Sequence, residues 1–181
     1  MLGMSSPEWT RYMRDELRLP LEPAEISAEV VRLVEERYRR DLPLLPGADR
    51  AVQRLAGRWP LGLASSSNRE IIDLVLSLTG WADLFSSTVS SEEVQRGKPS
   101  PDVYLEAARK LGAPPEACVA IEDSSAGIRS AHAAGLAVVA IPNRAYPPDP
   151  ELLEQTQAVL DSLEGLDAHV VTEARRGTLT S

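Results

Sequence analysis

The 181 residues are 43% hydrophobic, which is enough apolar material for one buried core, and the net charge of −8 argues against nucleic acid or membrane surfaces as partners. A single cysteine, Cys118, excludes an internal disulfide and fits a reducing compartment. No apolar run nears the ~20 residues of a spanning helix and no basic-then-apolar leader opens the chain, so the expected location is cytoplasmic.

The first helix is predicted from Ser6-Pro7, with Trp9, Tyr12, Met13 and Leu17 on one face. Pro20 and Pro23 interrupt the chain. A second helix follows over about 24–40, with Ile26, Val30, Leu33, Val34 and Tyr38 as its apolar side. The segment 42–47 reads as a hinge-like linker, and 48–56 as helix again. Strands are predicted at 61–64, about 87–89, 119–121, 138–141 and about 158–160. The helices between them end at Gly80, Gly112 and Gly135, where glycine tolerates a left-handed cap. Alternating strands and helices imply α/β architecture, a Rossmann-like parallel sheet with flanking helices and right-handed crossovers. The expected organisation is 1–44 as a small helical unit, 45–166 as the α/β core and 167–181 as an irregular tail.

Three strand-to-helix loops carry the chemistry. In open α/β sheets, ligands bind in the crevice at the carboxyl ends of the strands. The first loop is Ala64-Ser65-Ser66-Ser67-Asn68-Arg69, where hydroxyls and free N–H groups open a helix and suit a phosphate. Ser67 or Asn68 is the expected cap. Ser66 and Arg69 fit phosphate or substrate contact, and fit capping or surface roles equally. The second loop is Gly97-Lys98-Pro99-Ser100-Pro101-Asp102. Here Ser100 reads as N-cap, Pro101 as the first helical residue, and Lys98 as a cation for a phosphate or a carboxylate. The third is Ile121-Glu122-Asp123-Ser124, where an apolar strand ends in two adjacent carboxylates. Like charges at a buried edge call for a cation, and oxygen ligands of this kind suit Mg²⁺. Glu122 also reads as a structural cap, and Ser124 as the helix cap or an orienter of the carboxylates.

Together the segments LASSSNRE, RGKPSPDVYLEAARKLG and CVAIEDSSAGIRSAHAAGL resemble the haloacid dehalogenase superfamily, in its β-phosphoglucomutase and sugar-phosphate phosphatase branch. The resemblance runs to about Leu166. It implies a phosphate-binding Ser65, a catalytic Lys98 and an Mg²⁺ site at Asp123 with Glu122. It also implies a small phosphomonoester, such as a sugar phosphate, as substrate, and it makes 1–44 part of a helical cap. The family's opening motif, an Asp-x-Asp at the end of the first strand, supplies an attacking aspartate and a general acid/base. None of the ten aspartates here has another two positions on. The resemblance places that missing strand between those ending at Ser65 and Ile121, leaving two unpaired edges. The expectation is therefore an internal Met at position 1, with the strand encoded upstream. The alternative is a non-catalytic relative acting as a binding domain.

Other residues invite plainer readings. His132 falls mid-helix among alanines, His169 lies in the tail, and Cys118 starts a buried strand. Neither a nucleophile elbow around Ser65 nor a dinucleotide or P-loop glycine pattern is present.

Overall fold

A computed structural model describes residues 6–177. Helices α1 (Ser6–Asp15) and α2 (Pro23–Arg40) pack on one another, and α2 packs on the core. Pro23 starts α2, and the Glu25 carboxylate accepts the Glu22 N–H at 2.9 Å. Ile26, Val30, Val34 and Tyr38 turn inward, with Ile26 buried. Leu33, expected on that side, is half exposed, because α2 packs on α1 and α4 through a narrower stripe than the pattern suggested.

The core follows as α3 (Ala48–Ala56), β1 (Leu61–Ser65), α4 (Arg69–Thr79), β2 (Phe85–Ser90), α5 (Asp102–Leu111), β3 (Val119–Glu122), α6 (Ser125–Ala133), β4 (Ala137–Ala140), α7 (Pro150–Leu153), β5 (Ala158–Val159) and α8 (Ala168–Arg176). Every strand pairing is parallel. Gly80 and Gly112 cap α4 and α5 in the left-handed conformation, as the pattern predicted.

Among the described residues, five strands form two sheets, β1–β2 and β3–β4–β5. Helix α5 packs on β1 and β2, and its Tyr104 reaches Glu122 of β3, so it spans both sheets. Alternation along the strands sends Ala64 and Ala120 to the α5–α6 face. Leu61, Val119 and Ile121 point to the opposite face, with Leu55 and Leu166.

The tail expectation needs correction. Leu166 is buried, and Asp167 accepts the Val170 N–H at 2.9 Å to cap α8. Ala174 packs into the core and α8 lies against β3 and β4. The guanidinium of Arg54 holds the approach by donating to the Leu163 and Leu166 carbonyls. The short helix has modest periodicity, and only the neighbouring sheet supplies the surface that stabilises it. Among the described residues, no helix is long and apolar enough to cross a membrane.

Candidate functional site

The three loops named from sequence all follow strand ends. Ser65 closes β1. Its hydroxyl accepts the Ser67 N–H at 3.1 Å and so folds the turn back on itself. Two hydroxyls at the end of β2 brace this turn: Ser90 donates to the Ser67 carbonyl at 2.7 Å, and Ser91 to the Ser66 carbonyl at 3.2 Å. Both serines are buried.

The expected cap of α4 is corrected in its chemistry. Asn68 occupies the N-cap position, but its side chain makes no capping bond. Glu92 does the work instead, accepting the Arg69 N–H at 3.1 Å and the Asn68 amide at 2.9 Å. That amide also donates to Ser27 of α2 at 3.3 Å, tying the helical pair to the serine loop.

Arg69 faces the end of β2. Its guanidinium donates to Glu93, to Asp73 at 3.2 Å, and to the Thr88 hydroxyl at 3.0 Å. Burial opposes ionisation of Glu93, but hydrogen bonds from Arg69, the Ser90 N–H and Lys110 outweigh it, holding the carboxyl down at about 2. This network braces the loop and engages the Arg69 guanidinium with Glu93, Asp73 and Thr88.

Lys98 lies at the start of the segment leading into α5. The Lys98–Pro99 peptide is cis. The helix begins one residue later than expected: Pro101 is its N-cap, and Ser100 uses its carbonyl to accept the buried Ser130 hydroxyl at 2.6 Å. That bond fastens the lysine loop to α6. Lys98 Nζ donates to Glu122 Oε1 and lies 4.8 Å from the Tyr104 ring centroid. The Tyr104 hydroxyl donates to the same oxygen at 2.5 Å. The other Glu122 oxygen accepts the Asp123 N–H at 3.1 Å and the Ser124 hydroxyl at 3.2 Å.

Both partners of the ion pair are nearly enclosed, with side-chain exposures of 10% for Lys98 and 5% for Glu122. Burial works to raise the Glu122 pKa, but the charge of Lys98 and the hydrogen bonds from Lys98, Tyr104 and the Asp123 N–H prevail, holding the carboxyl below the ordinary glutamate range. Burial pushes the Tyr104 phenol well up, and the adjacent Glu122 charge adds to that. Gly127 belongs to the same arrangement, because a Cβ at that position would overlap the Glu122 carboxylate. Ser124 caps α6 by accepting the Gly127 N–H at 3.2 Å.

Lys98 and Glu122 therefore meet directly, Asp123 stands beside them with an exposed side chain, and Ser65 ends β1. Neither histidine joins the cluster. Cys118 packs against the core, with its thiol donating to the Pro114 carbonyl at 3.5 Å. Among the described residues, no group of three metal-ligating side chains converges. Glu122 and Asp123 offer two carboxylates, one saturated and one exposed. The exposed Asp123 carboxylate is the open donor, which fits Mg²⁺, an ion that binds through as few as one carboxylate and fills its octahedron with water and phosphate oxygens.

Sequence reasoning missed Glu92 and Tyr104. The Ser90-x-x-Glu93 spacing is a capping-box signature, and it marked the end of β2 as a built turn. Nothing in the pattern around Tyr104 separates it from its buried neighbours Val103 and Ala107, since its partner lies on another sheet.

The family model of haloacid dehalogenase-like hydrolases matches residues 1–135. The chain belongs to that family. Among curated relatives, the bifunctional riboflavin kinase/FMN phosphatase of Arabidopsis thaliana is 35% identical over 165 residues, 90% of this chain and 43% of its own length. Hexitol phosphatase B of Escherichia coli K12 is 36% identical over 129 residues, 71% of this chain and 56% of its own length. The chain thus spans about half the length of these relatives. Among solved structures, β-phosphoglucomutase from Clostridium difficile superposes with a TM-score of 0.76 at 26% identity, covering 96% of this chain and 78% of that one. The α/β architecture with a helical cap is that of the haloacid dehalogenase-like hydrolases.

Proposed function

We propose that this chain carries most of the site of a Mg²⁺-dependent phosphatase that cleaves a small phosphomonoester, with a sugar phosphate the best fit. The observation that carries this reading is the Lys98–Glu122–Tyr104 cluster next to an exposed Asp123, at the carboxyl end of a parallel strand in a chain of this family. Relatives named for hexitol and FMN phosphatase activity support the substrate class.

In this reading Ser65 and the N–H groups of its turn hold a phosphoryl oxygen. Lys98 offsets negative charge as it develops on the phosphoryl group, and Glu122 with Tyr104 fixes its ammonium in place. Asp123 would hold Mg²⁺, with Glu122 contributing its charge through Lys98 beside it; when bound, the ion would offset the charge of phosphate and nucleophile. Ser66 lies in the same turn and is the second candidate for phosphate contact. The attacking aspartate belongs to an Asp-x-Asp that none of the ten aspartates of this sequence supplies. The α1–α2 pair, latched by Ser27 to Asn68, would cover the crevice and select the substrate.

A second reading is that the chain is a non-catalytic relative acting as a binding or interaction domain. Phosphate release from a panel of sugar phosphates with Mg²⁺ separates the two. The 181-residue chain is expected to be inactive, and a longer form carrying Asp-x-Asp active, with Asp123→Asn abolishing that activity. Silence in both forms supports the non-catalytic reading. Robust turnover by the 181-residue chain, lost in Asp123→Asn, overturns the assignment of the nucleophile.

A further inference from the structure

The loop after β4, residues 141–149, is fastened at two points to the turn that carries Asp123. The Asn143 N–H donates to the Asp123 carbonyl at 3.2 Å, and the Asp149 N–H donates to the Ser125 hydroxyl at 2.9 Å. Between these pins the Asn143 side-chain oxygen accepts the N–H groups of Ala145 at 3.0 Å and Tyr146 at 3.3 Å, which folds the segment around Arg144. Pro147 and the buried Pro148 stiffen the return, and Arg129 of α6 pairs with Asp149 at 2.9 Å. A loop held in this way is shaped before any ligand arrives, which lowers the ordering cost of binding.

Arg144 is exposed in this turn, and among the described residues its guanidinium makes no hydrogen bond or ion pair. The other cations on or next to the strand-end loops are committed: Arg69 to Glu93 and Asp73, Arg96 to Asp102, and Lys98 to Glu122. Standard bond lengths put the Arg144 Cα within about 11 Å of the Asp123 Cα, since only the Asn143 residue and one hydrogen bond separate them. We infer, resting on the proposed roles of Asp123 and Ser65, that Arg144 selects the substrate. It receives a second anionic group, a phosphate or a carboxylate, at the far end of a sugar phosphate whose first phosphate lies between Ser65 and Asp123. The guanidinium fork matches the paired oxygens of either group.

The test reads binding and not turnover. The 181-residue chain is titrated calorimetrically, with Mg²⁺ present, against three ligands that share one acyclic skeleton: glucitol 6-phosphate, 6-phosphogluconate and glucitol 1,6-bisphosphate. The carboxylate or the second phosphate is expected to tighten binding about tenfold over glucitol 6-phosphate, and the ligand that gains more identifies the anion. Arg144→Gln is expected to remove that gain. Arg58→Gln, which takes away another exposed arginine just ahead of β1, at the opposite end of the strand from Ser65, is expected to keep it. A gain that survives in Arg144→Gln, or one lost equally in Arg58→Gln, overturns the inference. Equal binding of all three ligands by the native chain overturns it while leaving the phosphatase reading in place, and binding of none overturns both.

Discussion

Replacing Lys98 by methionine removes the cation from an enclosed ion pair while keeping the length of the stem. A surface pair would contribute no more than ~1 kcal/mol. Here the two side chains are 10% and 5% exposed, so the loss is that of a broken buried pair, about 3–5 kcal/mol. Tyr104, Ser124 and the Asp123 N–H still donate to Glu122, which favours the lower end, about 3 kcal/mol. For a chain of this length that lowers Tm by roughly 6–12 °C. The double variant Lys98→Met with Glu122→Gln no longer buries a lone charge and is expected to recover at least half of the loss. The pH dependence has a definite sign. In the native chain the Glu122 pKa is lowered, so its contribution is present above the ordinary glutamate pKa and fades as pH falls. In Lys98→Met, burial dominates and raises that pKa, so the variant gains stability as pH falls and the gap between the two proteins narrows in acid. Urea unfolding followed by circular dichroism reads both effects. A loss under ~1 kcal/mol, or a double variant as unstable as the sum of the singles, would refute the enclosed-pair reasoning.

Gly127→Ala gains ~1 kcal/mol of helix propensity but forces the Glu122 carboxylate off its donors, so a net loss of about 2–4 kcal/mol is expected in the same unfolding assay; a stabilised variant would mean the carboxylate moves freely. Glu92→Ala removes the acceptor from the Arg69 N–H and is expected to cost about 1 kcal/mol, with faster amide exchange in the first turn of α4 as its local signature. The Glu93 carboxyl, lowered to about 2, contributes stability above the ordinary glutamate pKa that is lost as pH falls towards 2, and carboxyl NMR titration of native chain and Arg69→Ala should show the pKa rising in the variant. Leu166→Ala empties a fully enclosed position beside α8 and is expected to cost about 2–5 kcal/mol; a change within ~0.5 kcal/mol would return 167–177 to the status of a loose tail.

Local chemistry made much of this protein readable from its sequence. Strand ends, glycine caps and the order of serine, lysine and acidic loops depend on residues within a few positions of one another, so spacing alone locates them. Spacing puts Ser65, Lys98, Glu122 and Asp123 in strand-to-helix loops and shows that the sequence holds no Asp-x-Asp, while the roles proposed for them come from the family resemblance. Tertiary structure decided everything that depends on partners distant in sequence. Lys98 and Glu122 are 24 positions apart, and only the packing of α5 across both sheets turns them into a buried pair with Tyr104. Arg69 reads equally as a phosphate contact or as a capping or surface residue, and only the β1–β2 pairing brings Glu93 to its guanidinium. The α8 segment is weakly patterned and becomes a helix because the sheet gives it a surface to cover. The resemblance implies the free edges of β1 and β3, but a strand's own residues do not reveal which of its sides lacks a neighbour; that is settled by the pairing of β1 with β2 and of β3 with β4 among the described residues.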